Sequence, residues 1–276
     1  MTAILRLQNL SVCLKGTQTS KTLLSSITLD IQRHRTLGVV GESGSGKTLL
    51  SHAILGLLDS QLQVSGEIWF NDQNLLASEQ VDPWADLRGK VMSLIVQNPM
   101  SAFDPRQTLR TQFMQTLQLH FPLSRTQCED LAHDVLLKCQ LGSDAITLLN
   151  RYPHQLSGGQ LQRIMIALAL AHQPQILIAD EPTTALDSVS QYEIVQLLKI
   201  LAHEHGLTLI FVSHDLNLLK QIADDVVVLR HGQLVESATL ESVWNTPKDP
   251  YTQYLLNACQ KLDARFQVLM RGGHAS

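Results

Sequence analysis

The chain has 276 residues, of which 44% are hydrophobic, and a formal net charge of −4 at pH 7. This length suits one large domain, or one domain with a subdomain. The small net charge gives no basic field for nucleic acid, and no run approaches the ~18 consecutive apolar residues of a membrane span. The four cysteines lie far apart with no C-x-x-C pair, which argues against a zinc or iron–sulfur site and favours a reduced, cytosolic chain.

The first half of the chain begins with β structure. Apolar residues alternate over 4–14, which predicts an edge strand, and again over 23–31, so the start is expected to be antiparallel. The N-terminus also lacks the charged start and apolar core of a signal peptide. A short apolar run over 36–40 then predicts a buried strand.

A glycine-rich loop follows this buried strand and fits the pattern G-x-x-x-x-G-K-[ST]. Residues 48–58 after it predict a helix, and strand, loop and helix in this order are the context that a phosphate-binding loop requires. Its glycines let backbone N–H groups approach phosphate without a Cβ in the way. The predicted nucleotide-binding residues are Gly41, Glu42, Ser43, Gly44, Ser45, Gly46, Lys47 and Thr48.

The pattern of apolar residues changes over 108–151, where they recur at helical spacing and no strand is predicted. This stretch indicates an inserted helical subdomain, placed at about 98–155. The rest of the chain alternates predicted strands with predicted helices, which favours an α/β core with a mostly parallel sheet. The strands are predicted at 91–97, 176–179, 208–212 and 226–229, and the helices at 161–171, 191–203 and 216–223.

Polar side chains stand at the ends of three of these strands. Asp180 ends an apolar strand, and Glu181 follows it. A carboxylate there can hold Mg²⁺ together with the Thr48 hydroxyl, and the second carboxylate can polarise an attacking water as a general base. Gln97 and His214 occupy similar positions after their own strands, so all of these groups are expected at one edge of the sheet.

A second phosphate-binding feature opens the helix predicted at 161–171. The turn Ser157-Gly158-Gly159-Gln160 precedes it, and the free N–H groups of a helix N-terminus can meet a phosphate.

Together these motifs resemble those of the ATP-binding subunit of an ABC transporter, and the resemblance covers nearly all of the chain. It implies one ABC ATPase domain over 1–276, with a P-loop ATPase core, an N-terminal antiparallel β subdomain, the helical subdomain and a C-terminal helical tail over about 240–276. It also implies ATP and Mg²⁺ as cofactors.

The resemblance assigns roles to individual residues as well. Gln97 is identified as the Q-loop glutamine, which binds Mg²⁺ with Thr48 and Asp180, and His214 as the H-loop histidine that contacts the γ-phosphate. Glu181, His214 and Gln97 are therefore the expected catalytic residues. The signature Ser157, Gly158, Gly159 and Gln160 is implied to bind ATP held by another subunit, and Asp187 matches the D-loop that crosses the interface.

Two segments narrow the branch of the family. Residues 97–105 and 248–256 resemble the peptide/nickel importers, and only Cys259 follows where many peptide importers carry a cysteine cluster. The wording Ala102-Phe103-Asp104-Pro105 resembles subunits for nickel or metal–metallophore uptake. The expected function is thus ATP-driven import of nickel or a metal–chelator complex, with di- or oligopeptide uptake as the alternative.

This branch implies a multi-subunit importer. The expected partners are a second, related ATPase subunit, two membrane-spanning permease subunits and an extracytoplasmic solute-binding protein, with no nucleic acid. The expected location is the cytoplasmic face of the cell inner membrane, as a peripheral protein.

The sequence departs from the family at one point. No Phe, Tyr or Trp occurs from Met1 to Val40, where ABC ATPases usually carry an aromatic residue that stacks on adenine, and Leu14 stands about where it is expected. Selectivity for adenine is therefore expected to be shallow.

Three non-transport classes of protein are the alternatives. ABC ATPases of DNA repair insert a long coiled coil between loop and signature, whereas residues 49–156 here show no sustained heptads. Translation-factor ABC proteins carry two ATPase halves, and this chain has one. A soluble assembly scaffold is disfavoured by the importer-like segment at 248–256.

Overall fold

Two β-sheets form the frame of the chain in the computed structural model, which describes residues 2–16, 21–77, 82–142 and 144–260. One sheet is antiparallel and has the order β2-β1-β4-β5. Its strands are β1 (Ala3–Leu14), β2 (Thr22–Gln32), β4 (Leu62–Phe70) and β5 (Gln73–Asn74).

The larger sheet has the order β10-β9-β3-β8-β7-β6 and is parallel except for β10. Because its parallel strands point the same way, the segments that follow them meet at one edge. Its strands are β3 (Thr36–Val40), β6 (Met92–Ile95), β7 (Ile176–Asp180), β8 (Thr208–Ser213), β9 (Asp225–Arg230) and β10 (Gln233–Thr239).

The helices fall into two groups along the chain, those from the phosphate loop to the end of the insertion and those that follow the insertion. Those after the loop and in the insertion are α1 (Lys47–Ile54), α2 (Pro99–Ala102), α3 (Leu109–His120), α4 (Arg125–Lys138) and α5 (Ala145–Leu148), followed by a 3-10 turn at Pro153–Gln155. The later ones are α6 (Gly158–Leu170), α7 (Ser188–Glu204), α8 (Leu216–Ile222), α9 (Leu240–Asn245) and α10, described over 250–260. Within the described part of 98–155 there are helices and no strand.

Each face of the larger sheet supports its own apolar core, because side chains alternate between faces along a strand. Leu177 and Ala179 of β7 face the core built with the insertion and helices α6, α7 and α8. Ile176 and Ile178 face the opposite core, which contains α1 and the antiparallel sheet. The predicted fold class, α/β with a mostly parallel sheet and an N-terminal antiparallel part, is confirmed.

The prediction that residues 4–14 form an edge strand is wrong. β1 lies inside its sheet, paired with β2 on one side and with β4 on the other. The second partner comes from Leu62–Phe70, far along the chain, and local alternation carries no information about such a distant pairing.

The tight turn between β9 and β10 supports the phosphate loop from below. His231 and Gly232 both have positive φ, 49° and 76°, as a two-residue hairpin turn requires. The N–H of Gly232 donates to the carbonyl of Ser45 at 2.9 Å, and its carbonyl accepts from Ser25 at 2.8 Å. A Cβ at Gly232 would lie 2.1 Å from the carbonyl oxygen of Leu23, so only glycine fits at this position.

We expect Gly232→Ala to lower the free energy of unfolding by about 3 kcal/mol, because left-handed strain and a backbone clash add. Gly16→Ala is the matched control. Its φ is also positive, 86°, but a Cβ there meets nothing within 4 Å, so only the strain remains, about 1 kcal/mol. Equilibrium urea unfolding measures both. Equal losses in the two variants would show that the close approach at Gly232 has no energetic weight.

Candidate functional site

The phosphate loop occupies the turn between β3 and α1, at the carboxyl edge of the larger sheet. Gly44 and Gly46 have φ of 78° and 105°, a backbone region open to glycine but strained for other residues. A Cβ at Gly41 would lie 2.2 Å from the carbonyl oxygen of Leu229. These glycines therefore allow a tight loop pressed against β9, with the N-terminus of α1 directly behind it.

Lys47 is the buried cation of this loop, with only 4% of its surface exposed. Its ammonium donates to the carbonyls of Gly41 at 2.8 Å and Glu42 at 3.0 Å, and it lies 3.6 Å from a carboxylate oxygen of Glu181. A buried charge is tolerated only when it is paired and hydrogen-bonded, and all three partners serve that purpose here.

A cavity of about 370 Å³ opens above the loop. Its wall is formed by residues of the phosphate loop, by Gln97 and Glu181, and by Leu23 from β2 and Leu49 from α1. The lining residues are Leu23, Ser43, Gly44, Gly46, Lys47, Thr48, Leu49, Gln97 and Glu181. Five of the eight predicted loop residues therefore share one cavity with Gln97 and Glu181, whereas Gly41, Glu42 and Ser45 do not line it.

Thr48 and Asp180 place two oxygen groups beside this cavity. The Thr48 hydroxyl donates to Asp180 Oδ1 at 3.3 Å. Burial raises the pKa of the Asp180 carboxyl, while the hydrogen bond from Thr48 opposes that rise. A buried carboxylate next to a hydroxyl is the kind of ligand pair that hard divalent cations prefer. Such a cation would offset the negative charge of the Asp180 carboxylate.

Glu181 gathers the other functional side chains around one carboxylate. Its Oε2 accepts from the Thr184 hydroxyl at 3.0 Å and from the Gln97 amide nitrogen at 3.2 Å, and it lies 3.3 Å from His214 Nδ1. Its Oε1 faces Lys47. The backbone at Glu181 has φ of 46°, which turns the chain sharply as β7 ends.

His214 follows β8 and projects outward, with its side chain 57% exposed. Asp215 behind it caps α8 by accepting the N–H of Asn217 at 2.8 Å. The imidazole is thus carried on a fixed strand–helix junction and keeps more than half of its surface exposed, although His214 is not among the residues that line the cavity.

The signature turn is formed independently of the cavity. Ser157 and Gln160 make a reciprocal capping box, in which each side chain bonds to the other residue's N–H at 3.2 Å. A Cβ at Gly158 would lie 3.3 Å from Leu186, and one at Gly159 would lie 3.7 Å from Ser190. The turn packs beside the start of α7, and none of its residues lines the cavity above the phosphate loop.

Asp187 is the N-cap of α7 and accepts the N–H groups of Val189 and Ser190 at 3.1 and 3.0 Å. The hydrogen bond from the Ser190 N–H is the main reason that the pKa of this carboxyl is lowered. The predicted D-loop residue therefore holds the helix start that lies against the signature turn.

Sequence reasoning missed two residues of the site. Thr184 bonds to Glu181, and Leu23 lines the cavity, whereas Leu14 sits in β1 opposite Leu62. The hydroxyl three residues after the carboxylate, in Glu181-Pro182-Thr183-Thr184, was the available signal for Thr184. Residues 17–20, which fall within the stretch from Met1 to Val40 that has no aromatic residue, lie outside the described residues.

Two further features, a metal-binding cluster and a membrane-spanning helix, are not found among the described residues. No group of three or more His, Cys, Asp or Glu side chains is placed to hold a metal ion in these ranges. Among the same residues, no helix combines the length and the apolar character that a membrane crossing requires.

Comparison with known proteins identifies the family of the chain. The ABC transporter family model matches residues 24–184. The chain is 40% identical over 256 residues to the metal-staphylopine import system ATP-binding protein CntD of Staphylococcus aureus, covering 93% of this chain and 94% of that protein. It is 37% identical over 270 residues to the glutathione import ATP-binding protein GsiA of Escherichia coli, covering 95% of this chain and 43% of that protein.

Solved structures give the same answer for the fold. A dimeric post-hydrolysis state of the ATP-binding cassette MJ0796 with ADP and Pi superposes with a TM-score of 0.74 at 29% identity, covering 86% of this chain and 98% of that one. CbiO1 of Clostridium perfringens, part of the transporter complex cbiONQ, gives a TM-score of 0.75 at 23% identity, covering 89% of this chain and 92% of that one. The phosphate loop, the buried lysine, the strand-end carboxylates and these matches together show that the chain belongs to the ABC transporter family, as one of its ATP-binding, ATP-hydrolysing subunits.

Proposed function

We propose that this chain is the motor subunit of an importer for nickel or a metal–chelator complex. The observation that carries the motor role is the convergence of Lys47, Gln97 and His214 on the carboxylate of Glu181, beside a cavity walled by the phosphate loop. The similarity to CntD, which extends over nearly all of both chains, supports the solute class.

Each residue of the site has a role in this proposal. The loop N–H groups and Lys47 bind the phosphates of ATP, and the oxygen atoms of Thr48, Asp180 and Gln97 would hold Mg²⁺. When bound, the cation would supply positive charge at the phosphates. Glu181 accepts a proton from the attacking water, and His214 contacts the γ-phosphate.

The contacts of Glu181 indicate how the base is kept idle before ATP arrives. Its carboxylate faces Lys47, Gln97, Thr184 and His214 at once, so its lone pairs are engaged. A triphosphate would offer Lys47 a more highly charged partner than one carboxylate, and Gln97 is among the residues that would hold Mg²⁺. The loss of these two contacts would free Glu181 oxygen atoms for a water molecule.

The placement of the signature turn favours an assembly of two ATPase subunits. Residues 157–160 pack against the start of α7 and not against the chain's own phosphate loop. They are free to complete a site on a second, related ATPase subunit, as the family resemblance implies. MJ0796, a structural relative, was solved as a dimer. Two permease subunits and an extracytoplasmic solute-binding protein complete the proposed importer, which holds this chain at the cytoplasmic face of the inner membrane.

The solute class rests on the relatives and on two sequence features. CntD is named for metal-staphylopine import, which suits a metal–chelator complex. GsiA is named for glutathione import, which supports di- or oligopeptide uptake as the second candidate. The Ala102–Pro105 wording and the lack of a cysteine cluster around Cys259 favour the metal.

Replacing the proposed base tests the chemistry. We expect Glu181→Gln to retain ATP binding and to lose hydrolysis by about 10² to 10⁴, the usual cost of losing a positioned base. Single-turnover hydrolysis in the assembled transporter is the measurement. Glu204→Gln, the same change at an exposed helix end, should leave the rate unchanged. A near wild-type rate for Glu181→Gln would remove Glu181 from the mechanism.

The assembly is tested by separating binding from turnover. The purified chain should bind ATP and hydrolyse it slowly. In the complete transporter, Ser157→Ala should lower turnover while leaving this chain's own ATP affinity unchanged, whereas Lys47→Ala should lose that affinity. Phosphate release and nucleotide titration measure the two quantities. Full, ATP-cooperative turnover by a strictly monomeric sample would contradict a site completed by a second subunit.

The solute is tested in cells that lack this chain. We expect the deletion to abolish uptake of radiolabelled nickel supplied with a chelator, and the wild-type chain, but not Glu181→Gln, to restore it. Uptake of labelled glutathione and of a labelled dipeptide is measured in parallel. Unchanged nickel accumulation together with lost peptide uptake would reject the metal assignment and leave the motor role intact.

A further inference from the structure

The segment after β10 returns to the phosphate loop through one tyrosine. Tyr251, near the start of α10, is only 5% exposed. Its hydroxyl oxygen accepts the N–H of Glu42, the second residue of the loop, at 3.1 Å. Tyr251 belongs to the segment that resembles the importer branch at 248–256, and no role in the proposed reaction has been given to it so far.

The route of the chain to Tyr251 is fixed by a buried carboxylate. Glu236 of β10 accepts the N–H groups of Lys248 and Asp249, both at 3.0 Å. Burial alone would raise the pKa of the Glu236 carboxyl, but the hydrogen bonds that it accepts, led by those from these two N–H groups, together with the charge of Lys248, leave the pKa lowered. Asp249 in turn accepts the N–H of Tyr251 at 2.8 Å. The position of the Tyr251 ring is therefore fixed by hydrogen bonds that run from Glu236 through Asp249.

The ring is also held on its face. The guanidinium of Arg230 lies 4.8 Å from the centre of the Tyr251 ring, a distance at which a cation is attracted to an aromatic face. Arg230 ends β9, directly before the turn whose Gly232 bonds to Ser45. The hairpin thus contacts the loop at Ser45, and α10 contacts it at Glu42.

The peptide group between Gly41 and Glu42 is bonded at both of its ends. Its carbonyl accepts from the Lys47 ammonium at 2.8 Å, and its N–H donates to Tyr251. If the hydroxyl is removed, this peptide can rotate, and Lys47 loses a fixed carbonyl at one of its contacts. The orientation of the lysine that meets phosphate therefore depends on a residue outside the loop.

We propose that Tyr251 is a positioning residue for nucleotide binding, which holds the Gly41–Glu42 peptide and, through it, the ammonium of Lys47. This inference rests on the proposed role of the loop in binding ATP. The importer-like segment at 248–256 would then act at the nucleotide site. It holds the phosphate loop in its binding conformation before ATP arrives, so that binding does not have to order the loop.

The test is the affinity of the full-length chain for Mg·ATP, measured by titration with a fluorescent ATP analogue. Tyr251→Phe removes the hydroxyl and keeps the ring under Arg230. A Gly41–Glu42 peptide that can rotate must be ordered again when ATP binds, a cost that corresponds to about tenfold in affinity, and we expect that loss. Tyr254→Phe is the matched control, because it makes the same change on the same helix at a residue that is 60% exposed, and it should bind as the wild type does.

Two further measurements separate positioning from general stability. In the assembled transporter, Tyr251→Phe should raise KM for ATP in the same ratio while kcat stays within about twofold, because Glu181 is untouched. Glu236→Gln, which keeps only one of two acceptors for the N–H groups of Lys248 and Asp249, should weaken binding in the same direction.

The outcomes are distinct. Wild-type affinity in Tyr251→Phe, or an equal loss in Tyr254→Phe, would overturn the role of the hydroxyl. A loss confined to kcat would overturn it as well. If the wild-type chain does not bind ATP, or if Lys47→Ala binds it equally well, the proposed function fails, and the role of Tyr251 fails with it.

Discussion

A lysine ammonium buried at 4% exposure sets the constraints on this molecule. An unpaired charge at such depth would be costly, so the chain must bring it several anionic or carbonyl partners. The loop supplies two backbone carbonyls, and β7, which is two strands away in the sheet, supplies a carboxylate at its end. The tight turn of the loop, the strand order and the sharp backbone at Glu181 all serve this one arrangement.

The two apolar cores explain why the arrangement holds its shape. β7 presents alternate side chains to the two faces of the larger sheet, so its end is fixed by packing from both sides. Its neighbours β6 and β8 carry Gln97 and His214 into the same region. Side chains that must meet within about 3 Å thereby lie one or two residues after the ends of packed strands and not on long loops, which gives the more accurate placement.

Local signals were enough to predict much of this from the sequence. The loop pattern, the apolar strands and the polar residues after them are contiguous features of the sequence. What depends on distant partners was not predictable. The interior position of β1 requires β4. The contact between Tyr251 and Glu42 joins residues 209 positions apart, and the gathering of donors on Glu181 depends on strand order. The domain boundaries and the roles of the site residues remain predictions.

The capping box at Ser157 and Gln160 has a consequence for the proposed contact with a second ATPase subunit. The two side chains bond two of the backbone N–H groups at the helix start, so the glycine turn between them keeps its shape in the isolated subunit. A surface that is ordered in advance loses little conformational entropy on contact. It can therefore be joined and separated many times without refolding, which is the property that a reversible, repeatedly closing interface needs.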